Sequence, residues 1–112
     1  MEKHLIKIKE QIGYAQNKHR HFADHFKSTF WTNADVEAHL ANERKMYEDE
    51  RIKGHSFQNI IAEEIFEAID AYDKKDYENA YHELAQCGAV ICRAMDMVYN
   101  KHLKENNDGN AV

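Results

Sequence analysis

Residues 56–98 read SFQNIIAEEIFEAIDAYDKKDYENAYHELAQCGAVICRAMDMV. Ser56 is a good helix N-cap, because its hydroxyl can accept from a backbone N–H that the first helical turn leaves unpaired. The run from Phe57 to about Tyr72 then places Ile60, Ile61, Glu64, Ile65, Ala68 and Tyr72 at helical spacing on one inner side. Asp73, Lys74, Lys75 and Asp76 form a short polar turn, and Asp76 can cap the next helix. That helix carries Tyr77, Ala80, Leu84, Cys87, Ile91, Ala94, Met95 and Val98 along its apolar stripe. So short a turn makes the two helices an antiparallel pair.

The same logic extends outward. A helix starting near Asn33 puts Val36, Leu40, Glu43 and Tyr47 on one face, and Gly54 is its natural stop. Arg51 and Lys53 suit the negative end of its dipole. Upstream, Leu5, Ile8, Ile12, Ala15, His19, Phe22 and Phe26 recur with gaps of three and four, which predicts a long N-terminal helix packing along a seam. The chain has 112 residues, no proline and four glycines, a composition of helices and short connections. The expectation is a single all-α domain over 1–105, a four-helix bundle, with a frayed polar tail over 106–112.

A net charge of −5 argues against nucleic acid as the main partner, and no apolar run approaches the ~20 residues that span a bilayer. The first residues, Met1 to His4, lack the apolar core of a secretory signal, so a cytoplasmic location is expected. Cys87 and Cys92 sit on opposite sides of one helix and read as small buried residues in a reducing compartment.

The carboxylates carry the functional signal. Glu63, Glu64, Glu67 and Asp70 lie on the first helix of the pair, and Glu83 and Gln86 on the second. Residues three or four apart share a helix face, so Glu67 converges with Glu63 or Glu64, and Glu83 with Gln86. Facing one another across an antiparallel pair, these groups supply the oxygen ligands that a hard cation such as Mg²⁺ requires. Carboxylates so close repel unless a cation or a proton intervenes.

In this order the residues resemble a family, the all-α nucleoside triphosphate pyrophosphohydrolases of the MazG-like, phage-type branch. That family carries Glu-Glu-x-x-Glu on one helix and Glu-x-x-Asp on the next. Residues 63–67 match the first half, and the stretch from Glu67 to Leu84 has the inter-motif length and Glu-Leu restart of the second. The resemblance covers residues 54–98 and departs at Gln86, where the family has Asp; an amide oxygen can still ligate but brings no charge. It implies an all-α pyrophosphatase-type fold and hydrolysis of an NTP or dNTP to the monophosphate and pyrophosphate. It further implies Mg²⁺ or Mn²⁺ held by Glu64, Glu67, Glu83 and Gln86, Glu63 as the group that orients water, and a homodimer or homotetramer. Arg93, one helical repeat beyond Gln86, is the candidate phosphate contact.

Other patterns carry less. Lys53 and His55 read as caps, Phe30 and Trp31 as core at a helix junction, and His19, His21 and His25 as a surface cluster. A di-iron bundle needs Glu-x-x-His on two helices and none occurs; there is no glycine-rich phosphate loop, nucleophile elbow or Cys-x-x-Cys. The competing expectation is a catalytically silent helical module that uses the same helices for assembly.

Overall fold

The structure, a computed structural model, describes residues 2–104. The expected tail over 106–112 lies outside the described residues. The chain is all-α: α1 (Glu2–Lys18), α2 (Asn33–Lys53), α3 (Phe57–Asp73) and α4 (Tyr77–Val98), with α4 running on into a π-helical stretch, Tyr99–Leu103. No strand occurs among the described residues, and no helix is long and apolar enough to cross a membrane. The backbone gathers into two compact units, one from Ala23 to Val90 and the other from the residues up to Phe22 and those from Ile91 onward.

Within the first unit each helix boundary has a local cause. Thr32 caps α2 through a reciprocal box: its Oγ1 accepts from Asp35 N at 3.1 Å while Asp35 Oδ2 accepts from Thr32 N at 2.8 Å. α2 stops where Gly54 adopts φ 102°, a conformation that residues with a Cβ avoid, and Gly54 N donates to Glu50 O. The Glu50 side chain also holds Ser56, which accepts from Asn59 N to start α3. At the far end, Asp76 N donates to Ala71 O and Lys75 N to Tyr72 O, both at 2.9 Å. These are the paired bonds of a Schellman stop, with Lys75 at φ 62° in the position that glycine usually takes. Asp76 Oδ1 then accepts from Asn79 N and opens α4.

α2 packs on α3, and the buried centre of the unit is Val36, Leu40, Ala68, Ala71, Ala80 and Cys87. Ile65, Tyr72 and Leu84, read from spacing as core, are instead about 40% or more exposed. Phe26 stacks on Tyr72 with ring centroids 4.6 Å apart, and Lys27 Nζ pairs with the half-buried Asp73 carboxylate at 2.9 Å.

In the second unit α1 is shorter than the stripe predicts. Its last helical hydrogen bond joins His19 N to Ala15 O, and residues 19–32 have no regular structure. Asn17, His19, His21, Asp24 and His25 are weak helix formers, and Phe22 is 89% exposed, so no buried face draws the helix onward. His4 is buried here; its Nε2 lies 3.1 Å from Asp96 Oδ1, and its ring meets Tyr99 edge-on. Lys3 Nζ sits 3.4 Å from the centre of the Tyr99 ring, and the His4 hydrogen bond holds the Asp96 carboxyl below its ordinary range.

Candidate metal centre

Because α3 and α4 return on one another, Glu67 before the turn and Glu83 after it are brought level. Glu64, Glu67 and Glu83 each offer a carboxylate oxygen, all within 4.8 Å of one another, and each residue is half-buried. Glu63, one turn before Glu67, stands beside it. The expected convergence of acids from two helices is therefore present in the geometry.

The electrostatics follow from crowding in a poorly solvated place. Burial, then hydrogen bonding and charge from Glu67, push the Glu83 carboxyl up to about 7. Burial and the charge of Glu67 likewise raise Glu63 and Glu64 above the ordinary carboxylate range. The neighbouring Cys87 thiol is raised as well, by burial and by the charges of Glu64 and Glu83. A carboxyl raised as Glu83 is keeps its proton up to near neutral pH, and a cation bound there would displace it.

Gln86 completes the cluster in an unexpected way. In the amide orientation that satisfies both ends, its Nε2 donates to Glu64 Oε2 and to Glu83 Oε2, both at 3.0 Å, and its Oε1 accepts from His82 Nε2 at 3.0 Å. The nitrogen, not the oxygen, faces the carboxylates. To ligate a cation the amide must turn over, which gives up its two bonds to the carboxylates and sets its nitrogen 3.0 Å from His82 Nε2, an acceptor in the other ring tautomer.

Arg44 was not singled out by the sequence, since nothing in the spacing of α2 marks it. Its Nη2 lies 3.5 Å from Glu67 Oε1, bringing a cation to the acid cluster from a third helix. Together with Glu67, Asp70, Lys74, Asn79 and Glu83 it lines an open cleft of about 280 Å³. Lys74 Nζ donates to Asp70 Oδ2 at 2.8 Å, which places a second cation at the rim. Arg93 falls in the other unit and is exposed.

Of the aromatic pair, Phe30 is 93% exposed rather than core. Trp31 packs as expected, its ring centroid 4.6 Å from His39 and 5.7 Å from Phe66. His55 stacks on Tyr47 with ring centroids 4.1 Å apart. Cys87 and Cys92 are both free and buried. Comparison of the chain with protein-family models, with curated proteins and with solved structures returns no match.

The donor set fits a hard divalent cation. It is all oxygen, it carries three carboxylates, and burial and crowding raise Glu64 and Glu83 above the ordinary carboxylate range.

Proposed function

We propose that the chain is a divalent-metal-dependent nucleoside triphosphate pyrophosphohydrolase of the MazG-like type. The observation that carries this reading is the convergence of Glu64 and Glu67 from α3 with Glu83 from α4 within 4.8 Å, on residues whose order resembles the family's two motifs. Glu64, Glu67 and Glu83 hold Mg²⁺ or Mn²⁺, with Gln86 joining only after its amide turns. Once bound, such a cation neutralises a polyphosphate chain and acidifies water.

The chain's own residues account for the rest. The rim cations Arg44 and Lys74 meet the phosphate oxygens that an acidic cluster alone would repel. Glu63, with its carboxyl raised above the ordinary range by burial and set beside Glu67, accepts the proton of the attacking water. Water adds to the α-phosphorus, the bond to the oxygen bridging to the β-phosphate breaks, and pyrophosphate leaves. Cytoplasmic location and a homodimeric or homotetrameric state belong to the same reading.

The test is pyrophosphate release from a panel of NTPs and dNTPs with Mg²⁺ or Mn²⁺. The reading expects release from at least one substrate and its loss in Glu67→Ala. No release from any of them, with the variant indistinguishable from the parent, ends it. One observation favours the silent-module reading: Gln86 Nε2 already partly compensates Glu64 and Glu83 without a cation. Under that reading divalent ions leave the melting temperature unmoved.

A further inference from the structure

Gln86 meets the acid cluster with one end of its amide and His82 with the other. The inner atom lies 3.0 Å from both Glu64 Oε2 and Glu83 Oε2, and the outer atom lies 3.0 Å from His82 Nε2. The two ends of an amide are nearly the same in shape, so these distances hold with nitrogen inward or with oxygen inward. What changes is the demand on His82. With nitrogen inward, Oε1 faces the ring and needs a hydrogen on Nε2; with oxygen inward, the amide nitrogen faces the ring and needs Nε2 bare. A neutral imidazole meets either demand, because its single hydrogen resides on Nε2 or on Nδ1. A lysine at that position could only donate, and a carboxylate only accept. His82 is exposed, so water exchanges the ring hydrogen: one leaves Nε2, another arrives at Nδ1, and the charge is unchanged.

We infer that His82 is a positioning residue for the cation, its ring tautomer following the Gln86 amide as it turns from a donor to the carboxylates into an oxygen ligand of the ion they hold. The inference rests on the divalent-cation part of the proposed function. Electrostatics set the direction of each state. With Glu83 ionised and no cation, an inward oxygen would face two carboxylate oxygens at hydrogen-bond distance with no hydrogen between them, so the nitrogen turns in. With a divalent ion among Glu64, Glu67 and Glu83, an inward amide nitrogen meets positive charge, and the carbonyl oxygen is the end that is attracted. Gln86 stands one helical turn from both His82 and Glu83, so α4 itself holds the three in register. Contacts of this kind, one bond removed from the metal, orient the ligands that touch it. The arrival of the cation is thus carried through one amide to a ring on the surface of α4.

The test is the ¹⁵N spectrum of the histidine rings in the labelled full chain, recorded above the Glu83 value of about 7 so that protonation of the cluster is not a variable. Adding Mg²⁺ to saturation, followed independently by backbone amide shifts, should move the His82 hydrogen from Nε2 to Nδ1. It is read as an exchange of pyrrole-like and pyridine-like shifts between the two ring nitrogens. The same addition to Gln86→Leu, which keeps the three carboxylates, should give binding with the His82 ring unmoved. A second measurement compares affinities. His82→Lys, able only to donate, should weaken Mg²⁺ binding by at least about twofold more in the parent than in the Gln86→Leu background, which removes the share due to charge alone. Saturable binding with an unmoved ring overturns the inference and leaves the cation reading standing. So does a ring that switches equally in Gln86→Leu, or equal weakening by His82→Lys in both backgrounds, since the amide is then not the link. Absence of saturable binding in the parent ends the cation reading and this inference together.

Discussion

The side-chain nitrogen of Gln86 lies 3.0 Å from Glu64 Oε2 and the same distance from Glu83 Oε2, tying α3 to α4 at the centre of the acid cluster. A neutral donor thus stands where the family motif has a carboxylate, and it offsets part of the repulsion that the remaining acids create. Stability and protonation are coupled at this one contact.

Replacing that donor by an acid reverses its role. Gln86→Asp removes two hydrogen bonds and adds a fourth negative charge, so without metal the variant should be less stable by about 2 kcal/mol. With Mg²⁺ or Mn²⁺ in excess it should recover that loss and bind the cation more tightly than the parent. Urea melts with and without metal measure both. Unchanged affinity would place position 86 outside the ligand set.

The pH dependence has a definite sign. The folded Glu83 carboxyl is raised to about 7 against an ordinary 4.5, so between those values the folded state binds more protons than the unfolded one, and stability falls as pH rises. The metal-free protein should lose on the order of 2 kcal/mol between pH 5 and pH 8 from this residue. Glu83→Gln should flatten the profile and raise stability at pH 8. Thermal melts across that range check it; a profile unaltered by Glu83→Gln would contradict the assigned cause.

Lys75 occupies a left-handed position at φ 62° where the Schellman stop of α3 favours glycine. Lys75→Gly should stabilise the protein by about 0.5–1 kcal/mol, the relief of the Cβ outweighing the added chain entropy. Denaturant midpoints measure the shift, and a loss of stability would mean that the Lys75 side chain contributes more than its backbone strain costs.

Much of the fold was legible because its punctuation is local. Ser56, Asp76 and Gly54 act through hydrogen bonds and dihedrals reaching only a few residues, so the limits of α3, the start of α4 and the end of α2 can be read from sequence. The end of α1 could not, because a periodic stripe marks a face but does not show whether anything covers it, and His19 to Phe26 keep the period without the burial. The meeting of Glu67, Glu83 and either Glu63 or Glu64 was legible from helical spacing together with a short turn, and the choice of Glu64 came from the resemblance. Arg44 was not legible, since its place beside Glu67 depends on how α2 packs on α3. The direction of the Gln86 amide depends on His82 and two carboxylates at once, a network that spacing alone does not encode.

The central claim is that three carboxylates from two helices share one divalent cation. Its most direct test is a titration of the metal-free protein with Mn²⁺, followed by calorimetry, for the parent and for Glu67→Ala. The account predicts a single saturable site with proton release near neutral pH in the parent, and its loss in the variant. Absence of saturable binding in the parent, or identical binding in the variant, would contradict it.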